Sequence, residues 1–325
     1  MLELRYPLYD GKKIWAGAAV TVENGIIEVV SECDPSSCGQ GFLMPGLIDA
    51  HVHMGTMSHV EAMLRNGVTA VCDVSASEAL ISSSDKLDII GSGGMAMGVI
   101  VNPKGYVKQA AANGAKYIKV LLFNALSIGK PALCGIVREA HAQGLKVAVH
   151  ATEITTVNQA IDANADILLH VPMKERLSEE TAAKIAEKGI AVAPTLIMMK
   201  TFAHSGKNGY EPAHYQNAEY AVSLLRDHGV SILAATDANP GSFAPAVGYG
   251  DTLHREMELL VKAGMTPLEV LGCATSANAD AFELNCGKIV PGSPANMLLI
   301  NGRPDKDILD IGRIQNIWVK GEVLK

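Results

Sequence analysis

One local pattern of polar and apolar positions recurs along the chain. An Ala- and charge-rich stretch is followed by Gly or Asn, and then by a short run of aliphatic and β-branched residues. It reads as helix, stop and strand, with the Gly or Asn supplying the left-handed cap that turns the chain back. The pattern occurs at Arg65-Asn66-Gly67 before 68–73, Asn113-Gly114 before 117–122 and Gln143-Gly144 before 146–150. It returns at Ala163-Asn164 before 167–170, Lys188-Gly189 before 190–193 and His228-Gly229 before 230–235. With residues 47–53 at the front and a weaker run at 95–100, eight strands alternate with helix-compatible segments. Eight such units predict an α/β fold closed into a (β/α)8 TIM-type barrel. A doubly wound open sheet would carry a Gly-rich phosphate turn after an early strand, whereas Gly91-Ser92-Gly93-Gly94 precedes one.

The ends are patterned differently. Residues 18–30 are two β-rich runs around an Asn24-Gly25 hairpin signal, and 295–325 are strand-like, punctuated by Asn301-Gly302 and Lys320-Gly321. Neither end can stand alone, so the expected organisation is a small β-sandwich domain from residues 1–45 plus 286–325 around a barrel of residues 46–285. Composition agrees: of the 325 residues 48% are hydrophobic but only 5% aromatic, which suits strands buried on both faces. A balance of 27 basic against 34 acidic residues, with no dense Lys/Arg block, argues against a nucleic-acid partner. No stretch has the length or apolarity of a signal peptide or membrane span, so we expect a cytoplasmic protein with no membrane partner, acting on a small molecule and able to self-associate as a homo-oligomer. The six cysteines lack a CxxC pair, and reduced thiols are expected.

The chemistry begins at Asp49-Ala50-His51-Val52-His53, where a period of two places His51 and His53 on one face, within reach of one metal ion. Alone, so short a pair is as often structural. Lys119, His150, His170 and Asp237 then stand on or at the ends of the fourth, fifth, sixth and eighth apolar strands. Each has an ordinary alternative: a snorkelling lysine, two hydrogen-bonded core histidines, a turn-capping aspartate. In a barrel, however, the C-terminal strand ends converge on one cavity, and the coincidence of all six favours a site.

These residues, with Leu43-Met44-Pro45-Gly46-Leu47-Ile48 before them and 287–296 near the C-terminus, resemble the metal-dependent amidohydrolase superfamily over essentially the whole chain. Residues 253–267 are similar to the branch containing imidazolonepropionase-like proteins and Xaa-Pro dipeptidases. The resemblance implies His51, His53 and Asp237 on one divalent ion, His150 and His170 on a second, and Lys119 bridging both as a carbamate. It also implies hydrolysis of an amide (C–N) bond of a small or dipeptide-like substrate by a hydroxide held between the two ions, with Asp237 moving the proton. Four histidines with carboxylate-type ligands suit zinc. True imidazolonepropionases resemble this chain but lack the lysine, so Lys119 favours the binuclear, dipeptidase-like side.

Substrate recognition is weakly encoded. The loop at 198–217 carries cationic and phenolic groups that fit a substrate carboxylate or carbonyl, and Tyr210 and His214 are its candidate contacts. Only residues 54–58 separate His53 from the next helix-like segment, too few to build a dipeptidase pocket wall. Two alternatives remain: a lactone or organophosphate ester hydrolase on the same binuclear site, and a non-catalytic scaffold, disfavoured because all six ligand positions are filled.

Overall fold

The computed structural model describes residues 1–123, 128–242 and 244–324. Fifteen strands are described, and they fall into three sheets. From the N-terminus come β1 (Leu2–Tyr9), β2 (Ile14–Glu23), β3 (Ile26–Glu32) and β4 (Phe42–Pro45). Next are β5 (Leu47–Val52), β6 (Val68–Asp73), β7 (Asp88–Gly91), β8 (Met95–Ala96), β9 (Tyr117–Leu121), β10 (Lys146–His150), β11 (Ile167–Leu169) and β12 (Ala191–Ala193). β13 (Met297–Ile300), β14 (Ile314–Val319) and β15 (Glu322–Val323) close the list.

The central strands are parallel throughout, in orders β5-β6-β7 and β12-β11-β10-β9-β8. Every residue of β5 and β6 is buried, as expected of parallel strands covered on both faces. All six stops read from the sequence adopt positive φ: Gly67, Gly114, Gly144, Asn164, Gly189 and Gly229. That left-handed step lets each helix end fold straight into the next strand.

Two segments depart from expectation. The third strand is not 95–100: β7 lies upstream at Asp88–Gly91, only Met95–Ala96 of the expected run is a strand, and Ser92-Gly93-Gly94 joins the two pieces. β7 pairs with β6 and β8 with β9, so the glycines break one expected strand into two halves facing different neighbours. The eighth segment is not a regular strand. It contacts its neighbours through isolated bridges, Val192 to Ile232 and Val52 to Ala238, supplemented by bonds from the Ala50 and Asp237 amides to the Ala234 and His51 carbonyls.

The chain ends form one continuous seven-stranded sheet, β15-β14-β13-β4-β1-β2-β3, where two facing sheets of a sandwich were expected. The parallel pairing of Leu8 with Leu43 stitches the N-terminal meander to the C-terminal hairpins. Leu4, Leu8, Val20 and Ile27 share its apolar cluster with Ile289, Met297, Leu299 and Trp318. Among the described residues, no helix is long and apolar enough to cross a membrane.

Candidate functional site

The inward faces of the central strands carry small and aliphatic side chains, Ala50, Ala148, Ile167, Leu169, Ala191, Ala193, Leu233 and Ala235. One step further along, polar groups replace them. Lys119 follows Tyr117 on the same face of β9, His150 follows Ala148 on β10, and Asp237 follows Ala235.

His170 needs another device. Leu169 already faces inward, so strict alternation would send the next residue outward, yet the His170 ring lies 5.6 Å from that of His51 and 4.4 Å from that of His150. His170 adopts φ 72°, a left-handed conformation that costs a non-glycine residue on the order of 1 kcal/mol. Asp237 (φ 55°) and Thr195 (φ 50°) share it, so all three segments that follow β10 end their apolar runs in the same unfavourable turn.

The six residues singled out from the sequence form one contiguous cluster. One Asp237 carboxylate oxygen lies 3.3 Å from His51 Nε2 and 3.1 Å from His53 Nε2. Lys119 Nζ stands 3.5 Å from His51 Nε2. Ligand atoms of His51, His170 and Asp237 all lie within 4.8 Å of one another, so these three can hold one metal ion. His53 is a quarter exposed at its side chain and forms the rim, whereas Lys119 is 1% exposed.

Electrostatics prepares the cluster for cations. Burial, with the Lys119 charge adding to it, lowers His51 and His150 to about 3; burial and His150 hold His170 well below the ordinary imidazole value. The rings are therefore neutral and able to donate lone pairs. Burial works to raise the Asp237 carboxyl, but His51, His53 and His170 outweigh it and keep it an anion, well below the usual carboxylate range. Burial also lowers Lys119 to about 7, and no carboxylate lies within ion-pair distance of it among the described residues. Among the described residues, the buried His51 Nδ1 and His150 Nε2 have no hydrogen-bond partner. Orphaned nitrogens, a buried anion and an unpaired lysine are costly in an apolar interior, and divalent ions would satisfy them. The donor set fits a metal.

A supporting layer was not singled out from the sequence. The Asp49 carboxylate accepts from the His51 and Thr236 amides at 3.2 and 3.0 Å and from Thr236 Oγ1 at 2.6 Å, tying β5 to the segment that carries Asp237. Tyr249 donates its hydroxyl to the His53 carbonyl at 2.6 Å. Thr195 Oγ1 lies 2.7 Å from His170 Nδ1. Behind Thr195, the fully buried Glu256 carboxylate accepts the first two amides of helix Leu196–His204, from Leu196 and Ile197, at 2.8 and 2.6 Å. A sequence signal existed for Glu256: it falls on the apolar stripe of helix Asp251–Lys262, beside buried Leu253, Met257 and Leu260.

The two loop candidates sit apart from this cluster. The Tyr210 ring lies under Lys174 Nζ at 4.9 Å and edge-on to Phe202 at 5.2 Å. Burial raises its phenol, which hydrogen-bonds with Thr152 just beyond β10. His214 is 6.1 Å from Tyr210, ring to ring, and its Nδ1 accepts the Glu211 amide at 2.9 Å, a capping bond that leaves only Nε2 free for a ligand.

A model of the Amidohydrolase family matches residues 42–324. An uncharacterized protein of Mycobacterium tuberculosis is 27% identical over 281 residues, 72% of each chain. An imidazolonepropionase of Ectopseudomonas mendocina is 27% identical over 199 residues, 60% of this chain and 45% of that one. Among solved structures, a Xaa-Pro dipeptidase with methionine bound in its active site superposes with a TM-score of 0.84 at 19% identity, covering 99% of both chains.

Proposed function

Because the chain belongs to the amidohydrolase family, we propose that it is a metal-dependent hydrolase cleaving an amide (C–N) bond of a small or dipeptide-like molecule. We take the eight central segments as a closed (β/α)8 barrel of residues 46–285, flanked by a terminal β-domain of residues 1–45 plus 286–325. A cytoplasmic setting, free of membrane and nucleic acid, fits a small-molecule substrate.

The observation that carries the reading is the buried Lys119, 3.5 Å from His51 Nε2 and with no carboxylate at ion-pair distance among the described residues, beside the His51, His170 and Asp237 cluster. His51, His53 and Asp237 would hold one divalent ion, and His150 and His170 a second. Lys119, neutral enough to react with carbon dioxide, would bridge them as a carbamate, turning a repelled cation into a bidentate anion. Zinc suits this donor set. Bound there, the ions would polarise the scissile carbonyl and lower the pKa of an attacking water. Asp237, kept anionic and within 3.3 Å of His51 Nε2 and 3.1 Å of His53 Nε2, would act as the base toward the attacking water and as the acid toward the departing nitrogen. Thr195 fixes the ring orientation of His170, and Asp49 fixes the spacing of β5 from Asp237. Tyr210, with Lys174 over its ring, and the free Nε2 of His214 would receive a substrate carboxylate.

Metal analysis with a panel of N-acyl amino acids, dipeptides, lactones and organophosphate esters tests the proposal. Two divalent ions per chain and preferential turnover of amides are expected. A metal-free preparation that stays fully active would sink it, and lactones or phosphotriesters turning over far faster than amides would move the site to ester chemistry.

A further inference from the structure

Away from the central cluster, Cys33 and Cys38 bring their sulfurs to 3.6 Å at the turn between β3 and β4. Both are free and only partly buried, whereas Cys72, Cys273 and Cys286 are buried. Cys134 lies in helix Lys130–Ala142, outside that turn. The spacing of four intervening residues escapes the CxxC signature, yet the turn itself is built. Asp34 caps it through the Ser36 amide at 2.9 Å, Pro35 fixes its first dihedral, Ser37 Oγ donates to the Asp34 carbonyl at 2.6 Å, and the Cys38 amide returns to the Pro35 carbonyl at 3.2 Å. Both flanks are tied to the sheet, by the Cys33 amide on the Gly17 carbonyl and the Gly39 amide on the Arg5 carbonyl. Gly17 leaves room for the sulfurs: a Cβ there would meet Cys38 Sγ at 3.1 Å and the Cys33 carbonyl at 2.8 Å.

We propose that Cys33 and Cys38 form a thiol–disulfide exchange site that reacts with small-molecule disulfides of the glutathione class and closes reversibly into an intrachain bridge. A turn held by five hydrogen bonds presents the second thiol before the first has reacted, so little further ordering is needed to close the ring. Either thiol can open the exchange with the same balance; in one order Cys33 attacks first. Its thiol loses a proton and attacks one sulfur of the small disulfide, expelling a thiolate. Cys38, deprotonated in turn, attacks the Cys33 sulfur of the mixed disulfide and expels the second thiolate. Two cysteine thiols are oxidised, one small disulfide is reduced, and both protons finish on the released thiols. The bridge closes the turn that follows β3, and it is independent of the hydrolytic reading.

The test equilibrates the full chain in buffers of reduced and oxidised glutathione, then counts thiols after denaturation, weighs the intact protein and maps its peptides. The expected result is loss of two of the six thiols, a mass decrease of two hydrogen atoms, a Cys33–Cys38 linked peptide, and full reversal by dithiothreitol. Cys33→Ser and Cys38→Ser should each abolish the two-thiol loss. Six thiols surviving in oxidised glutathione overturn the proposal. So do a glutathione adduct that persists on either residue of the parent chain, a bridge to any other cysteine, and a two-thiol loss that survives Cys33→Ser.

Discussion

Asp237 is proposed to carry two duties that a single substitution separates. Asparagine keeps an oxygen able to coordinate but cannot take a proton, so Asp237→Asn should retain most of its bound metal while amide turnover falls roughly 10²- to 10⁴-fold. An activated ester, whose leaving group needs little protonation, should suffer less, and paired metal analysis and kinetics on both substrates check this. His170 depends on its partner in another way: Thr195→Val removes the hydroxyl at its Nδ1, and metal affinity or turnover should drop about 10- to 100-fold, read by competition with a chelator. Glu256 supplies a test free of the metal. Burial raises its carboxyl to about 8 against the pull of two helix amides, above the ordinary 4.5 of an unfolded chain. A group raised on folding contributes stability that is full below its unfolded value and is lost as the pH climbs through its folded one. Glu256→Gln should therefore be most destabilised relative to the parent near pH 4.5, with the gap shrinking toward pH 8, as denaturant melts across that range would record. The six residues of the central cluster were legible because each interrupts an apolar strand with a group no core tolerates. The roles of Asp49, Thr195 and Glu256 were not, although Asp49 and Glu256 each interrupt an apolar pattern, because the partners they serve lie far away in sequence: the Thr236 amide, the His170 ring and the Leu196 and Ile197 amides.

Among elements, the helix stops and six of the eight central strands were read correctly, and the third and eighth strands were not. Gly or Asn at a helix end is a local steric requirement and survives any tertiary context, as the six positive φ values attest. β7 escaped because Asp88-Ile89-Ile90-Gly91 is too short to display a period, and its identity as a strand comes from its pairing with β6. The segment through Asp237 fails for a related reason: its left-handed end and bridges to neighbours on both sides replace a regular ladder. The junction from β4 to β5 illustrates how tightly the elements meet. A Cβ on Gly46 would lie 2.2 Å from Thr69 Oγ1 on β6. Gly46→Ala should destabilise the fold by about 1–3 kcal/mol through overpacking. The double variant Gly46→Ala, Thr69→Ala should recover part of that loss in urea titrations, because it removes the hydroxyl and methyl at 2.2 and 2.6 Å and leaves only the Thr69 Cβ at 2.9 Å.

For the whole molecule, a proposed centre assembled from β5, β9, β10, the end of β11 and the Asp237 segment would make metal a ligand of the folded state alone. Stripping it should lower the thermal midpoint as well as abolish turnover; free metal at 100 times its dissociation constant is worth about 2.7 kcal/mol, and calorimetry with and without chelator reads the difference. The terminal sheet has a consequence of a different kind, in the order in which a ribosome delivers the chain. β1, β2 and β3 emerge before the rest of this sheet and can pair as a meander, but β4 lies between β1 and β13, and β13 follows every proposed metal ligand in the chain. Until then Phe42, Leu43 and Met44, wholly buried in the finished protein, line a strand with one edge unpaired. β13 thus closes that edge: a chain that stops short of it presents Phe42, Leu43 and Met44 to chaperones and proteases, and one that reaches it withdraws them.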